Sequence, residues 1–199
     1  YGKRQQRQNS QGLAWAENNL MTDLELSQKV EQFTKLKTLL ETNNWAEALK
    51  VTQDLVAKLP TDSDLLKVKG TITFFMGKPE ETLKSLESIK LDEPDDIAFL
   101  NMLGYAYGQI GRYEEALSSF NRALKFDANN VNAHLGVAKA HLGNEDYRLA
   151  IKSAQIVLNQ EAMHVEALAI VAESYLELEQ YTEATKYLNL AKSSDLNYF

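Results

Sequence analysis

The stretch Leu100-Asn101-Met102-Leu103-Gly104-Tyr105-Ala106-Tyr107, followed by Tyr113-Glu114-Glu115-Ala116-Leu117-Ser118-Ser119-Phe120, decides the fold. Leu100, Leu103, Gly104 and Tyr107 recur at i, i+3, i+4 and i+7, which is one face of a helix. Gly111-Arg112 breaks that period. A second helix then carries Ala116, Phe120, Ala123 and Leu124 on one face, and Asp127-Ala128-Asn129-Asn130 supplies turn residues after it. Gly104 and Ala116 are small where the two helices of this hairpin meet, so the backbones can approach closely.

The pattern recurs with a period of 34 residues. Tyr113, Tyr147 and Tyr181 form one series, and Ala116, Ala150 and Ala184 another. Toward the N-terminus the place of Tyr113 passes to Pro79 and Trp45, that of Ala116 to Thr82 and Ala48, and that of Ala128 to Pro94 and Pro60. Five units follow without insertion: 29–62, 63–96, 97–130, 131–164 and 165–198. A single helix pair cannot bury its apolar face. Stacked neighbours build a continuous core whose stability is a nearest-neighbour sum.

Leu100-x-x-Leu103-Gly104-x-x-Tyr107 with Ala116-x-x-x-Phe120 resembles the tetratricopeptide repeat pattern. The resemblance is closest in the third to fifth units. In the first unit Lys35 and Leu36 replace the Leu-Gly step, while Trp45, Ala48 and Pro60 fit. In the second, Gly70 and Pro94 fit but Lys69, Thr73 and Thr82 depart, and Pro79 falls at the first position of a helix, where its missing N–H is no loss. The resemblance implies an all-α, right-handed α-solenoid of about five helix-turn-helix units. It also implies a protein-interaction scaffold without catalytic machinery, which binds an extended peptide or a partner helix in its concave groove.

Composition narrows the alternatives. The 199 residues include no cysteine, which excludes a disulfide framework, a thiolate metal site and a cysteine nucleophile. There are 9 Gly and 3 Pro with no glycine-rich stretch, so no phosphate-cradling loop is expected. The net charge of −7 argues against a nucleic-acid partner, which calls for a basic stripe. No run approaches the length of a membrane span. No cofactor and no metal are expected. His134 and His141 lie seven apart with Glu145 four beyond, but they replace Leu100 and Tyr107 at packing positions of the repeat. His164 falls at a unit boundary and is expected in solvent. The acidic pairs Glu80-Glu81, Glu114-Glu115 and Asp95-Asp96 read as helix-start charges that favour the macrodipole rather than as an acid–base pair.

Adjacent to the packing face, a stripe at two, five, nine and twelve in each unit is expected to line the groove. Its candidates are Phe33 and Lys37 in the first unit; Lys67, Thr71 and Phe74 in the second; and Asn101 and Tyr105 in the third. They continue with Asn132, Leu135 and Lys139 in the fourth and Glu173 in the fifth. The lysines predict a partner with acidic character toward the N-terminal half, and the aromatic members are its expected anchors. The lysine–asparagine pattern by which related repeats clamp a chaperone's C-terminal carboxylate is absent at the corresponding places: Phe33, Lys37, Val68, Ala98 and Met102.

Two terminal features complete the reading. Residues 1–28 read as a basic tail, with Lys3, Arg4 and Arg7, followed by a short capping helix. Thr22-Asp23-Leu24-Glu25 reads as a capping box that opens the first repeat helix near residue 23. The basic start fits a loose tail or the flank of an upstream membrane anchor. At the other end Leu188, Leu196, Tyr198 and Phe199 form a second expected surface, through which the chain would form a homo-oligomer.

Overall fold

The computed structural model describes residues 27–28, 30–89 and 96–196. The basic start, the short capping helix, the capping box, Pro94, Asp95, Tyr198 and Phe199 lie outside those residues. All regular structure among the described residues is helical. The chain divides into two compact units, Tyr1–Pro60 and Thr61–Phe199.

In the first unit, helix α1 (30–41) and helix α2 (Trp45–Lys58) form a hairpin. Leu36, at the place where the repeat has glycine, is buried, as are Ala48, Leu49, Val51 and Leu55. Lys35, the other departure, stays exposed and pairs with Glu47 of α2 at 3.5 Å.

In the second unit four pairs follow. They are α3 (Ser63–Phe75) with α4 (Pro79–Leu86), α5 (Ile97–Gln109) with α6 (Tyr113–Phe126), α7 (Val131–Gly143) with α8 (Tyr147–Gln160), and α9 (Val165–Glu177) with α10 (Tyr181–Leu196). Each helix packs on the next one in sequence, and α3, α5, α7 and α9 also touch in succession. By contrast α4, α6, α8 and α10 touch only their sequence neighbours. Within this unit the first helices of the pairs therefore form the inner, concave layer of a solenoid and the second helices the outer one.

The turns carry the period as clearly as the cores. Each hairpin closes with a residue in the left-handed region: Asn43, Gly77, Gly111, Glu145 and Glu179, spaced by 34. The N–H of the following residue returns to a carbonyl one turn back, as in Arg112 to Tyr107 at 2.9 Å and Asp146 to His141 at 2.8 Å. Glycine adopts this geometry freely, whereas a side chain meets the next carbonyl. Glu145→Gly is therefore expected to raise stability by about 0.5–1 kcal/mol, read by urea unfolding.

Helix starts repeat in the same way. Asp62, Asp96, Asn130 and His164 each accept a hydrogen bond from the N–H three residues on, which belongs to Leu65, Phe99, Ala133 and Ala167. His164 is thus not a solvated boundary residue: it is half-buried and caps α9 through Nδ1 at 3.3 Å. Histidine is a poor cap beside the aspartates and asparagine at the same place, so His164→Asn should add about 0.5–1 kcal/mol, measured by thermal melting. Glu80-Glu81 and Glu114-Glu115 occupy the first turns of α4 and α6, and Pro79 opens α4.

The irregular second repeat has a physical basis. Thr73 and Thr82, its departures, are fully buried and their hydroxyls lie 3.0 Å apart between α3 and α4. Each hydroxyl also has a carbonyl of its own helix in reach, Lys69 at 2.9 Å and Lys78 at 3.0 Å, so one proton joins the hydroxyls, the other goes to a carbonyl, and neither hydroxyl is stranded. Between α5, α6 and α7 the core is built on Phe120. A Cβ at Gly104 would stand 2.7 Å from its ring, and one at Gly136 would overlap it. The small residues thus let one aromatic ring lock three helices. Beyond it, Leu135, Ala138, Ala154, Val157, Ala167, Ile170 and Val171 form the core of the last two pairs.

Candidate functional site

The inner layer of the second unit is the candidate site. Its open positions are Asp64 on α3, Ala98 on α5, Asn132 on α7, and Glu166, Ala169 and Glu173 on α9, all exposed. Phe74, Tyr105 and Lys139 are half-buried and border it. Asn101 and Leu135 do not lie on this open face: they are only 9% and 4% exposed. Leu135 belongs to the core. Phe33 and Lys37, in the first unit, are exposed on α1, where Lys37 pairs with Glu41 at 3.9 Å. Thr71 is half-buried and its hydroxyl donates to the Lys67 carbonyl at 2.9 Å.

The two candidate lysines of the second unit, Lys67 and Lys139, are paired within the fold. Lys67 Nζ lies 3.4 Å from Asp96 Oδ2, while Asp96 Oδ1 accepts the Phe99 N–H at the start of α5. One repeat on, the same two places hold Asn101 and Asn130. Asn101 Nδ2 donates to Asn130 Oδ1 at 3.1 Å, and that oxygen caps α7. A charged staple in one repeat is a neutral one in the next. Asn101 Oδ1 is buried without a hydrogen-bond partner. Lys139 forms an ion pair with Glu166 and stands 5.3 Å from the centre of the Tyr105 ring. Both lysines therefore meet a partner as members of an ion pair within the fold. Glu173 keeps its charge open to solvent, with no ion-pair partner among the described residues.

Tyr105 joins α5 to its neighbours. Its hydroxyl donates to the Asn132 carbonyl at 2.8 Å, and its ring meets Phe120 edge-on at 5.0 Å and Phe74 at 6.5 Å. Burial, and secondarily the Glu166 carboxylate, push its phenol up to about 12. Tyr107 is also pushed up to about 12, by burial and then by its hydrogen bond to Glu87 at 2.7 Å. The unfolded chain releases these protons near an ordinary tyrosine value of about 10. Between the two values the native state holds more protons, so stability is intact below about pH 10 and falls as pH rises toward 12. Thermal melts at pH 9, 10 and 11 should show the drop, and Tyr105→Phe should make it shallower.

The histidines are used elsewhere. His134 Nε2 lies 2.9 Å from the Ala128 carbonyl, and His141 Nδ1 is 3.6 Å from Asp146. Glu145 is exposed on its turn. Among the described residues no group of three potential ligands gathers around a common point.

The family comparison agrees with this geometry. A family model described as TPR repeat matches residues 104–144, and a second, described as Tetratricopeptide repeat, matches residues 135–196. Residues 104–196 are tetratricopeptide repeats. Such repeats are generally protein-interaction modules. The repeat region is 28% identical over 141 residues to a cytochrome c-type biogenesis protein, CcmH, of Haemophilus influenzae, covering 69% of this chain and 31% of that protein. It is 27% identical over 173 residues to the Beta-barrel assembly-enhancing protease of Escherichia coli, covering 85% of this chain and 34% of the protease. The chain thus spans about a third of the length of these curated relatives. Among solved structures, MamA from Desulfovibrio magneticus superposes with a TM-score of 0.75 at 13% identity, covering 83% of this chain and 94% of MamA. That likeness is one of fold. No helix among the described residues is long and apolar enough to cross a membrane.

Proposed function

We propose that the chain is a non-catalytic scaffold of five tetratricopeptide repeats that binds a protein segment, a peptide or a helix, on the inner layer of its repeats. One observation carries this reading. The first helices pack in succession and leave a continuous face of exposed Ala98, Asn132, Ala169 and Glu173, while the outer helices are held apart. These positions support no packing and tolerate change, as a recognition surface requires. Capture of partners by the full chain tests it. Asn132→Arg with Ala169→Arg should lose a partner that the wild type and an outer-layer variant, Asn121→Arg, both retain, with unchanged circular dichroism. Retention by all three would contradict the reading.

A second reading, self-association through the α9–α10 end, is favoured by one observation. Leu188 and Tyr181 are 47% and 62% exposed at the repeat places where Phe120 is buried and Tyr113 half-buried. Light scattering at tens of micromolar separates the two, since a monomer removes the second. Of the other members of that expected surface, Leu196 closes α10, and Tyr198 and Phe199 lie outside the described residues.

A further inference from the structure

Among the described residues, one glycine is required neither by its φ nor by a close neighbour. Gly77 and Gly111 take positive φ, and Gly70, Gly104, Gly136 and Gly143 make room for the side chains of Leu86, Phe120, Phe120 and Tyr113. Gly108, in the last turn of α5, does neither: its φ is not left-handed, and a Cβ built on it would meet nothing within 4 Å. Alanine there would favour the helix. Gly108 borders a cavity of about 210 Å³, lined among others by Tyr105, Tyr113, Phe120, Lys139 and Ala140. This is below the roughly 300–1,000 Å³ of pockets that hold a drug-sized ligand or cofactor, and it suits a single side chain. Its walls are mostly aromatic rings, methyl and glycine backbone; Gln109 is the uncharged amide among them, and Lys139 is already paired to Glu166.

We propose that this cavity takes one apolar side chain of a protein partner's extended segment, with a lysine or arginine of that segment meeting Glu173. The proposal rests on the inner-layer reading above and names the chemistry of its partner. Charge complementarity sets the second half. Lys67 and Lys139 are paired with Asp96 and Glu166, whereas Glu173 on α9 is exposed with no ion-pair partner among the described residues. Glu173 occupies the repeat place of Tyr105 and Lys139, one helix further on. Packed helices stand about 8–10 Å apart, and an extended chain advances about 3.3 Å per residue. The basic residue therefore belongs about three positions from the apolar one.

An array of immobilised dodecapeptides tests it. Each has a Gly-Ser-Thr background, a central Leu, Phe, Trp, Met or Ala, and Lys or Glu three positions to either side. The labelled full chain should bind the apolar-centred, lysine-flanked peptides at least fivefold better than the alanine-centred or glutamate-flanked ones. Gly108→Leu, whose Cβ would meet nothing within 4 Å, should melt no lower than wild type yet bind at least tenfold more weakly. Glu173→Lys should turn the charge preference toward glutamate while keeping the apolar requirement. Alanine-centred peptides binding equally well, Gly108→Leu binding unchanged, or no peptide binding at 100 µM would each overturn the pocket. Peptides lost with Ala169→Arg but not with Gly108→Leu would overturn the pocket and leave the inner-layer reading standing. Peptides insensitive to both would overturn both.

Discussion

Truncating Phe120 to alanine is expected to lower the unfolding free energy by about 3–5 kcal/mol, the largest single-residue loss in the second unit. Its side chain is 1% exposed and touches α5 at Gly104 and Tyr105 and α7 at Gly136. Two of the residues facing it, Gly104 and Gly136, have no side chain with which to refill the space it leaves. In a solenoid the loss falls on two interfaces at once, α5–α6 and α6–α7, and so uncouples adjacent repeats. Urea unfolding should show a lower midpoint together with a broader transition. A loss below about 1 kcal/mol would mean the ring is not the lock described here.

The second large effect comes from the opposite change. Gly136→Ala adds one methyl group where the Phe120 ring already lies, with Gly104 packed against the same ring, so the ring must shift from its place between the two glycines. Overpacking of this kind costs about 1–3 kcal/mol. The same substitution in a Phe120→Ala background should be neutral or favourable, since the clash is gone and alanine is the better helix former. The coupling between the two sites is then about 1–3 kcal/mol. An equal penalty in both backgrounds would show that Gly136 is needed for another reason.

Much of this fold was legible from residue spacing. The 34-residue period marks each helix pair, and Gly104, Ala116 and Phe120 identify the face on which the pairs close. What the period cannot show is which places of one repeat meet which places of the next. Phe120 reaches Gly136, and Lys67 reaches Asp96, 29 residues on. For that reason the lysines looked free in sequence and are paired in the structure. Asn101 and Leu135 sit at the edge of the helical stripe, where a small rotation decides between groove and core. The turns were half legible. Glycine at 77 and 111 announces a left-handed residue, but Glu145 and Glu179 adopt the same geometry without any sign in their chemistry. His164 was misread because histidine rarely caps a helix, although its place is the one held by Asp62, Asp96 and Asn130.

The site was legible as a stripe and not as a surface with a given charge. Side-chain pairing converts a lysine-marked inner face into one whose open charge is acidic, at Glu173, and packing leaves a largely apolar cavity bordered by Gly104, Gly108 and Gly136.

The central claim is that partners meet the inner layer of the repeats. Site-specific photo-crosslinking in the native host tests it most directly, with the crosslinker placed in turn at Asn132 and Glu173 on the inner layer and at Asn121 and Arg148 on the outer one, all four exposed. The account predicts one partner protein joined from Asn132 and Glu173 and absent from Asn121 and Arg148. The same partner joined from the outer positions alone, or equally from all four, would contradict it.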